Sequence, residues 1–304
     1  MSEAIPPAPA PSAPAGRIHD ISYRHLSAPL RPGRWRWWPI TRHGLRTLHH
    51  RSRFLRVLLW LAWVPAVVKG VQIYLAHSAD QVPMLGKLAA QTSLLRIDPQ
   101  FFLQAALSQS LLLWLALLTC ARLISDDLKV GALQVYLAKP LTRLDYVLGK
   151  SGVVVGLLLM ILVLPTLAVY LCALLLDPGS SFLVQHGWVV LPLLGFEAFV
   201  IATLTVTVLG LSSLSSSGPF VTVLLLGAYI FSSAVSGILK TIYRDPRLAL
   251  LGLWNNYEQI GHALFGLEPP EPVSIWASVA LTTGLALLAA LALRWRVRAV
   301  QVIG

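Results

Sequence analysis

The sequence predicts an all-α polytopic membrane protein with six transmembrane helices. Hydrophobic residues form 56% of the 304 and charged residues only 12%, about half the charged share of a soluble domain. Six apolar stretches of about 19–24 residues are each long enough to cross a core roughly 30 Å thick. Lys and Arg also segregate sharply between alternate loops.

Residues 1–33 are rich in Pro and Ala and read as a disordered cytoplasmic tail. The first 30 residues lack a continuous apolar run, so no cleavable signal peptide is expected. Residues 34–53 mix Trp35, Trp37 and Trp38 with Arg42, Arg46, Arg51 and Arg53. That mixture suits the headgroup region, so an N-terminal amphipathic helix should lie on the membrane surface. Thr41 is a candidate cap for it, and the helix is expected to run straight into the first span. His43, His49 and His50 have no carboxylate or cysteine beside them and read as interfacial polar residues rather than a metal site.

The six-helix domain occupies 54–304. Its spans are placed at Phe54–Leu75, Phe101–Leu123, Val153–Leu176, Val189–Leu211, Phe220–Leu239 and Ser274–Arg294. Gly218-Pro219 separates the fourth from the fifth. With the N-terminus inside, ten Lys and Arg fall between Arg17 and Arg56, five between Arg122 and Lys150, and three at Arg294, Arg296 and Arg298. The other side holds six. This asymmetry places both termini in the cytoplasm of an inner (plasma) membrane protein. A formal charge of +11 concentrated before the first span points to membrane lipids, not nucleic acid. The segment 76–100 carries an amphipathic stretch, Met84 to Leu95. The segment 240–273 is apolar but broken by Asn255, Asn256 and Glu258; short re-entrant or interfacial helices before span six fit it best.

Catalytic patterns fail on inspection. Cys120 and Cys172 sit inside apolar segments and read as small core residues. Gly149-Lys150-Ser151 looks like the end of a phosphate-binding loop, but the required upstream glycine is Leu144. The chain is therefore not expected to hydrolyse ATP itself, and no cofactor or metal is expected in it. Glu258 and His262 lie four apart, but two ligands make no catalytic site.

Glu197 is the one mid-span carboxylate. Burying it costs about 2.5–3.5 kcal/mol on insertion scales, so it should face protein or water. It reads either as a translocation-path or proton-relay residue, or as an interhelical hydrogen-bond anchor. Gln104 and Ser108 share one face of span two, and Ser232 and Ser236 one face of span five. These faces could line a pathway or a helix interface. Gly152 and Gly156 form a small-residue face for close packing.

The segment 124–150 is the only long charged run between two spans. Apolar Leu128, Val130, Leu133, Val135 and Leu137 alternate with Asp126, Asp127 and Lys129, which predicts an amphipathic helix from Ser125 to Leu137. Lys139-Pro140 ends it. Thr142 and Asp145 form a capping box opening the next helix.

This elbow resembles the coupling helix of ABC type-2 transporter permeases, the transmembrane subunits of ATP-binding-cassette exporters. The resemblance is carried by Asp126-Asp127, Gly131-Ala132-Leu133, Leu137-Ala138-Lys139-Pro140-Leu141-Thr142-Arg143 and Leu148-Gly149-Lys150. Two aspartates stand where the family has an acidic–basic pair, and Ala138 stands where it has serine. The resemblance implies a dimer with a second copy or paralogue, and a soluble ATPase subunit that carries ATP and Mg. Asp126, Asp127, Lys129, Arg143, Leu133 and Leu137 are the implied docking contacts. Gln104, Ser108, Ser232 and Ser236 are then candidates for the dimer interface. A membrane scaffold for an envelope machine, or a secondary transporter using Glu197, are the alternatives.

Overall fold

The computed structural model describes residues 35–78, 96–132, 141–177 and 181–296. Among them every regular element is helical. The tail and the Met84–Leu95 stretch lie outside the described residues. The described chain falls in one unit that begins at Trp35.

Six helical segments are long and apolar enough to cross a membrane: Arg53–Ser78, Pro99–Lys129, Arg143–Leu176, Phe182–Leu214, Gly218–Tyr243 and Ile275–Arg296. This is a multi-pass membrane protein, and the spans match the expected order. Spans two, three and four form its centre: 61%, 50% and 50% of their most apolar windows are buried, against 22%, 17% and 22% for spans one, five and six.

Helix α1 (Trp38–Arg51) precedes the spans. It starts at Trp38, with Pro39 in its first turn, rather than at a Thr41 cap, because proline tolerates the N-terminal turn. It does not run on into span one. Ser52 is extended and caps α2 (Arg53–Leu61) by accepting from the Leu55 N–H at 3.0 Å. Span one then breaks at Ala62 and resumes as α3 (Trp63–Ser78), close to Pro65, which cannot supply an N–H to the ladder. Gln109 bridges to this break, donating from Nε2 to the Ala62 carbonyl at 2.9 Å.

Span two comprises α4 (Pro99–Leu107) and α5 (Ser110–Cys120), and continues through a turn into the short helix α6 (Ser125–Lys129). Span three is α7 (Arg143–Leu158), a wider π-turn at Leu159–Val163, and α8 (Leu164–Leu176). The π-turn sits just before Pro165, whose missing N–H interrupts the regular ladder. A short helix, α9 (Ser181–His186), leads into α10 (Val190–Leu214), the body of span four. Span five is α11 (Gly218–Tyr243). Trp114 of α5 stacks on Tyr229 of α11 with ring centres 4.5 Å apart.

The chain after span five turns back into the bundle. Arg244 takes a left-handed conformation, and the 3-10 turn Pro246–Leu251 then descends beside α11. Ser236 donates to the Leu248 carbonyl at 3.0 Å, and Ser232 Oγ accepts from the Leu253 N–H at 3.4 Å. Ser232 lies eleven residues before Tyr243, about 16 Å of helix below the end of the span. Helix α12 (Leu253–Leu264) then returns, with Tyr257 hydroxyl 3.0 Å from Thr203 Oγ1 of α10. Burial raises the Tyr257 phenol to about 12. The expected re-entrant segment is therefore present. Span six is α13 (Ile275–Arg296), packed on α10 where Gly210 leaves no room for a Cβ against Ala289.

Candidate functional site

The elbow is built on three spans and the surface helix. Ile124 and Ser125 present the N–H groups at the start of α6, and both donate to Ser212 Oγ of α10, at 3.0 and 3.1 Å. Ser212 is fully buried, so span four caps α6. At the other end, Gly131 adopts φ +66° and closes α6. Left-handed glycine at this position is a standard helix stop. The helix expected over Ser125–Leu137 is therefore interrupted after Lys129 in the structure; Ala132 is helical again, and the rest of that stretch lies outside the described residues. Leu133, Leu137, Lys139 and Pro140 lie outside the described residues.

Asp127 is turned inward. Its Oδ2 lies 2.6 Å from Lys150 Nζ and accepts from the Tyr146 hydroxyl at 2.8 Å. Lys150 Nζ also donates to the Leu123 carbonyl at 2.8 Å. The ammonium thus ties the start of span three to the end of span two and to α6. The Thr142–Asp145 capping box forms as expected, with Asp145 N–H donating to Thr142 Oγ1 at 3.1 Å and Thr142 N–H to Asp145 Oδ2 at 3.0 Å.

Gly149, Gly152 and Gly156 line one face of α7 against α1. A Cβ at Gly149 would stand 2.7 Å from Ile40 Cβ, one at Gly156 2.9 Å from Leu45 Cδ1, and one at Gly152 would collide with Thr41. Thr41 Oγ1 donates to the Gly149 carbonyl at 2.9 Å. The Leu148-Gly149-Lys150 segment thereby has two jobs: the glycine admits α1 and the lysine holds α6.

Asp126, Lys129 and Arg143 remain exposed, which separates them from inward-facing Asp127. Three apolar side chains join them: Val130, Leu144 and Leu148, 75%, 73% and 52% exposed. Leu144 and Leu148 lie four apart on α7, a facing pair on one side of the helix. The sequence signal for Leu144 was its place inside the Thr142–Asp145 capping box, in the first turn of α7, where an apolar residue has no core to join. Between α1 and α6 lies a cleft of about 700 Å3, lined by His43, Thr47, Arg122, Asp126, Asp127 and Lys150 among others. Its charged walls suit polar groups at a membrane surface. Gly218 starts span five directly against it, with Arg122 Nε and Asp126 Oδ1 each 2.8 Å from where a Cβ would be.

The remaining expected residues are dispersed. Gln104 and Ser108 share an exposed face of span two. Ser236 is fully buried and Ser232 half-buried, and both hold the re-entrant segment. Ser236 thus lies away from any surface a second copy could reach. Glu197 is fully buried, and Thr166 of span three donates to its Oε1. It faces protein. No protein-family model matches the chain, and no curated protein matches it either.

Proposed function

We propose that this chain is the permease subunit of an ATP-driven transporter of the ABC type-2 class, an exporter by resemblance, working as a dimer in an inner membrane. A separate ATPase would dock on the elbow from the cytoplasm and supply ATP and Mg there. The observation that carries this reading is the wiring of α6. Ser212 joins it to span four, Lys150 to span three, and it continues span two. Displacing such an element must move several spans together, while Asp126, Lys129, Arg143 and Leu144 stay available to a partner.

The test is co-purification with an ATPase encoded beside this chain. Leu144→Asp is expected to abolish the complex while membrane insertion persists, since buried apolar anchors carry most interface affinity and exposed ion pairs about 0–1 kcal/mol each. Leu133→Asp and Leu137→Asp should do the same. Unchanged co-purification in all three would overturn the docking surface. ATP turnover stimulated in the complex, with nothing transported in reconstituted vesicles, would instead identify a scaffold.

A further inference from the structure

A second cavity, of about 230 Å3, lies at the ends of spans one and two away from the elbow, between α3, α4 and the residues that lead into α4. Two cations line it, Lys69 of α3 and Arg96. Lys69 belongs to a membrane-spanning helix and stands nine residues before its end at Ser78, about 14 Å of helix. An ionised side chain within a span is costly and ordinarily pairs with an opposite charge or with backbone carbonyls. Among the described residues the Lys69 ammonium does neither: it makes no ion pair and no hydrogen bond. Its Nζ rests over the Phe101 ring instead, 4.2 Å from the centroid.

Asp98 is the one carboxylate on the cavity wall. It attracts Lys69 from beyond ion-pair distance, and its Oδ1 is committed to capping α4, accepting from the Phe101 N–H at 2.9 Å. Arg96 is exposed and makes no ion pair among the described residues. One partly committed carboxylate therefore stands against two cations. Gln72 of α3 and Gln104 of α4 add amide groups that can donate from either side. Donors thus converge from span one, from span two and from the segment before it. The space far exceeds the roughly 10–15 Å3 that one water needs.

We propose that this cavity binds a phosphate group, carried by a phospholipid headgroup or free in solution. Its oxygens accept from the Lys69 ammonium, the Arg96 guanidinium and the Gln72 and Gln104 amides. Its negative charge compensates the cation that Asp98 leaves over. A tetrahedral oxyanion suits donors that converge from several sides better than a flat carboxylate does, and charge-assisted bonds to phosphate are among the strong ones. The Phe101 ring holds the ammonium at the cavity wall while leaving its protons to the anion.

The test uses the full chain in dodecyl maltoside, a detergent without phosphate, titrated calorimetrically with sodium phosphate and with dihexanoylphosphatidylglycerol at constant ionic strength. Saturable binding of at least one is expected, with sodium acetate at least tenfold weaker. Tighter binding of the lipid makes a headgroup the source, and equal or tighter binding of sodium phosphate makes it a free anion; both outcomes support the site. Arg96→Gln, an exposed position that should fold normally, is expected to weaken the tighter of the two about tenfold, the equivalent of about 1.4 kcal/mol. Lys69→Met should abolish binding, yet melt no lower than the native chain without ligand, because it removes an unpaired charge from a span. Binding of neither anion, equal binding of acetate, or unchanged affinity in both variants would overturn the proposal. So would a Lys69→Met chain that melts well below the native one, since Phe101 and Asp98 would then satisfy the ammonium by themselves.

Discussion

Lys150 Nζ sits 2.6 Å from Asp127 Oδ2, with only 10% and 18% of the two side chains exposed. The pair joins α6 to α7, and the Tyr146 hydroxyl and the Leu123 carbonyl complete it. It is a fastening inside the protein, which removes Asp127 from the residues a docking partner could contact.

Lys150→Met should therefore destabilise the chain by about 3 kcal/mol, because Asp127 is left mostly buried without its counter-charge. Thermal unfolding in detergent measures this. The double variant Lys150→Met with Asp127→Leu should recover most of the loss, since an apolar pair of similar volume needs no compensation. A double variant no better than the single would show that the pair is not the fastening.

Gly152→Val should detach α1 from span three. The added side chain must enter the space of Thr41, next to the Thr41–Gly149 hydrogen bond, and overpacking of this kind costs about 1–3 kcal/mol. Gly156→Ala should be milder, because its neighbour is the flexible end of Leu45. Maleimide labelling of Leu45→Cys should rise in Gly152→Val and change little in Gly156→Ala.

The spans were legible in the sequence because lipid solvation demands long apolar helices, a one-dimensional property. The capping box at Thr142 and Asp145 was legible because both partners are local. Ser212 was not, since nothing in LSSLSSSGP distinguishes one serine whose partners lie 87 and 88 residues away. Ser232 and Ser236 were correctly placed on one face of span five. Their partner within the chain could not be read, because a descending loop returns to that face. The early end of α6 follows from Gly131, whose backbone freedom outweighs an apolar spacing that would extend the helix.

Ser212→Ala should loosen α6 without unfolding the bundle. It removes the shared acceptor of Ile124 and Ser125 N–H, and loss of a serine cap costs about 1 kcal/mol. Amide exchange across 124–129 should quicken about fivefold, the factor that corresponds to that free energy. Exchange in α10 beyond the substituted turn should stay unchanged. Uniform acceleration through span four would mean that Ser212 supports the helix it belongs to rather than α6.

Glu197 separates two roles that composition left open. Thr166 has one hydroxyl proton, yet three acceptors surround it: the Leu162 and Val163 carbonyls at 2.8 and 3.1 Å and Glu197 Oε1. Glu197 Oε2 is buried with no partner. An amide at this position keeps an acceptor, adds donors, and carries no charge into the interior. Glu197→Gln should consequently leave stability within about 1 kcal/mol of the native chain or raise it. Thr166→Val removes the one side chain that, among the described residues, donates to the carboxyl and should cost about 1–3 kcal/mol, the penalty for an unsatisfied buried polar group. Melting curves distinguish these outcomes from a functional role. A Glu197→Gln chain that melts normally but loses all transport in vesicles would make the carboxyl a working part of the pathway. An anchor between spans three and four predicts transport retained.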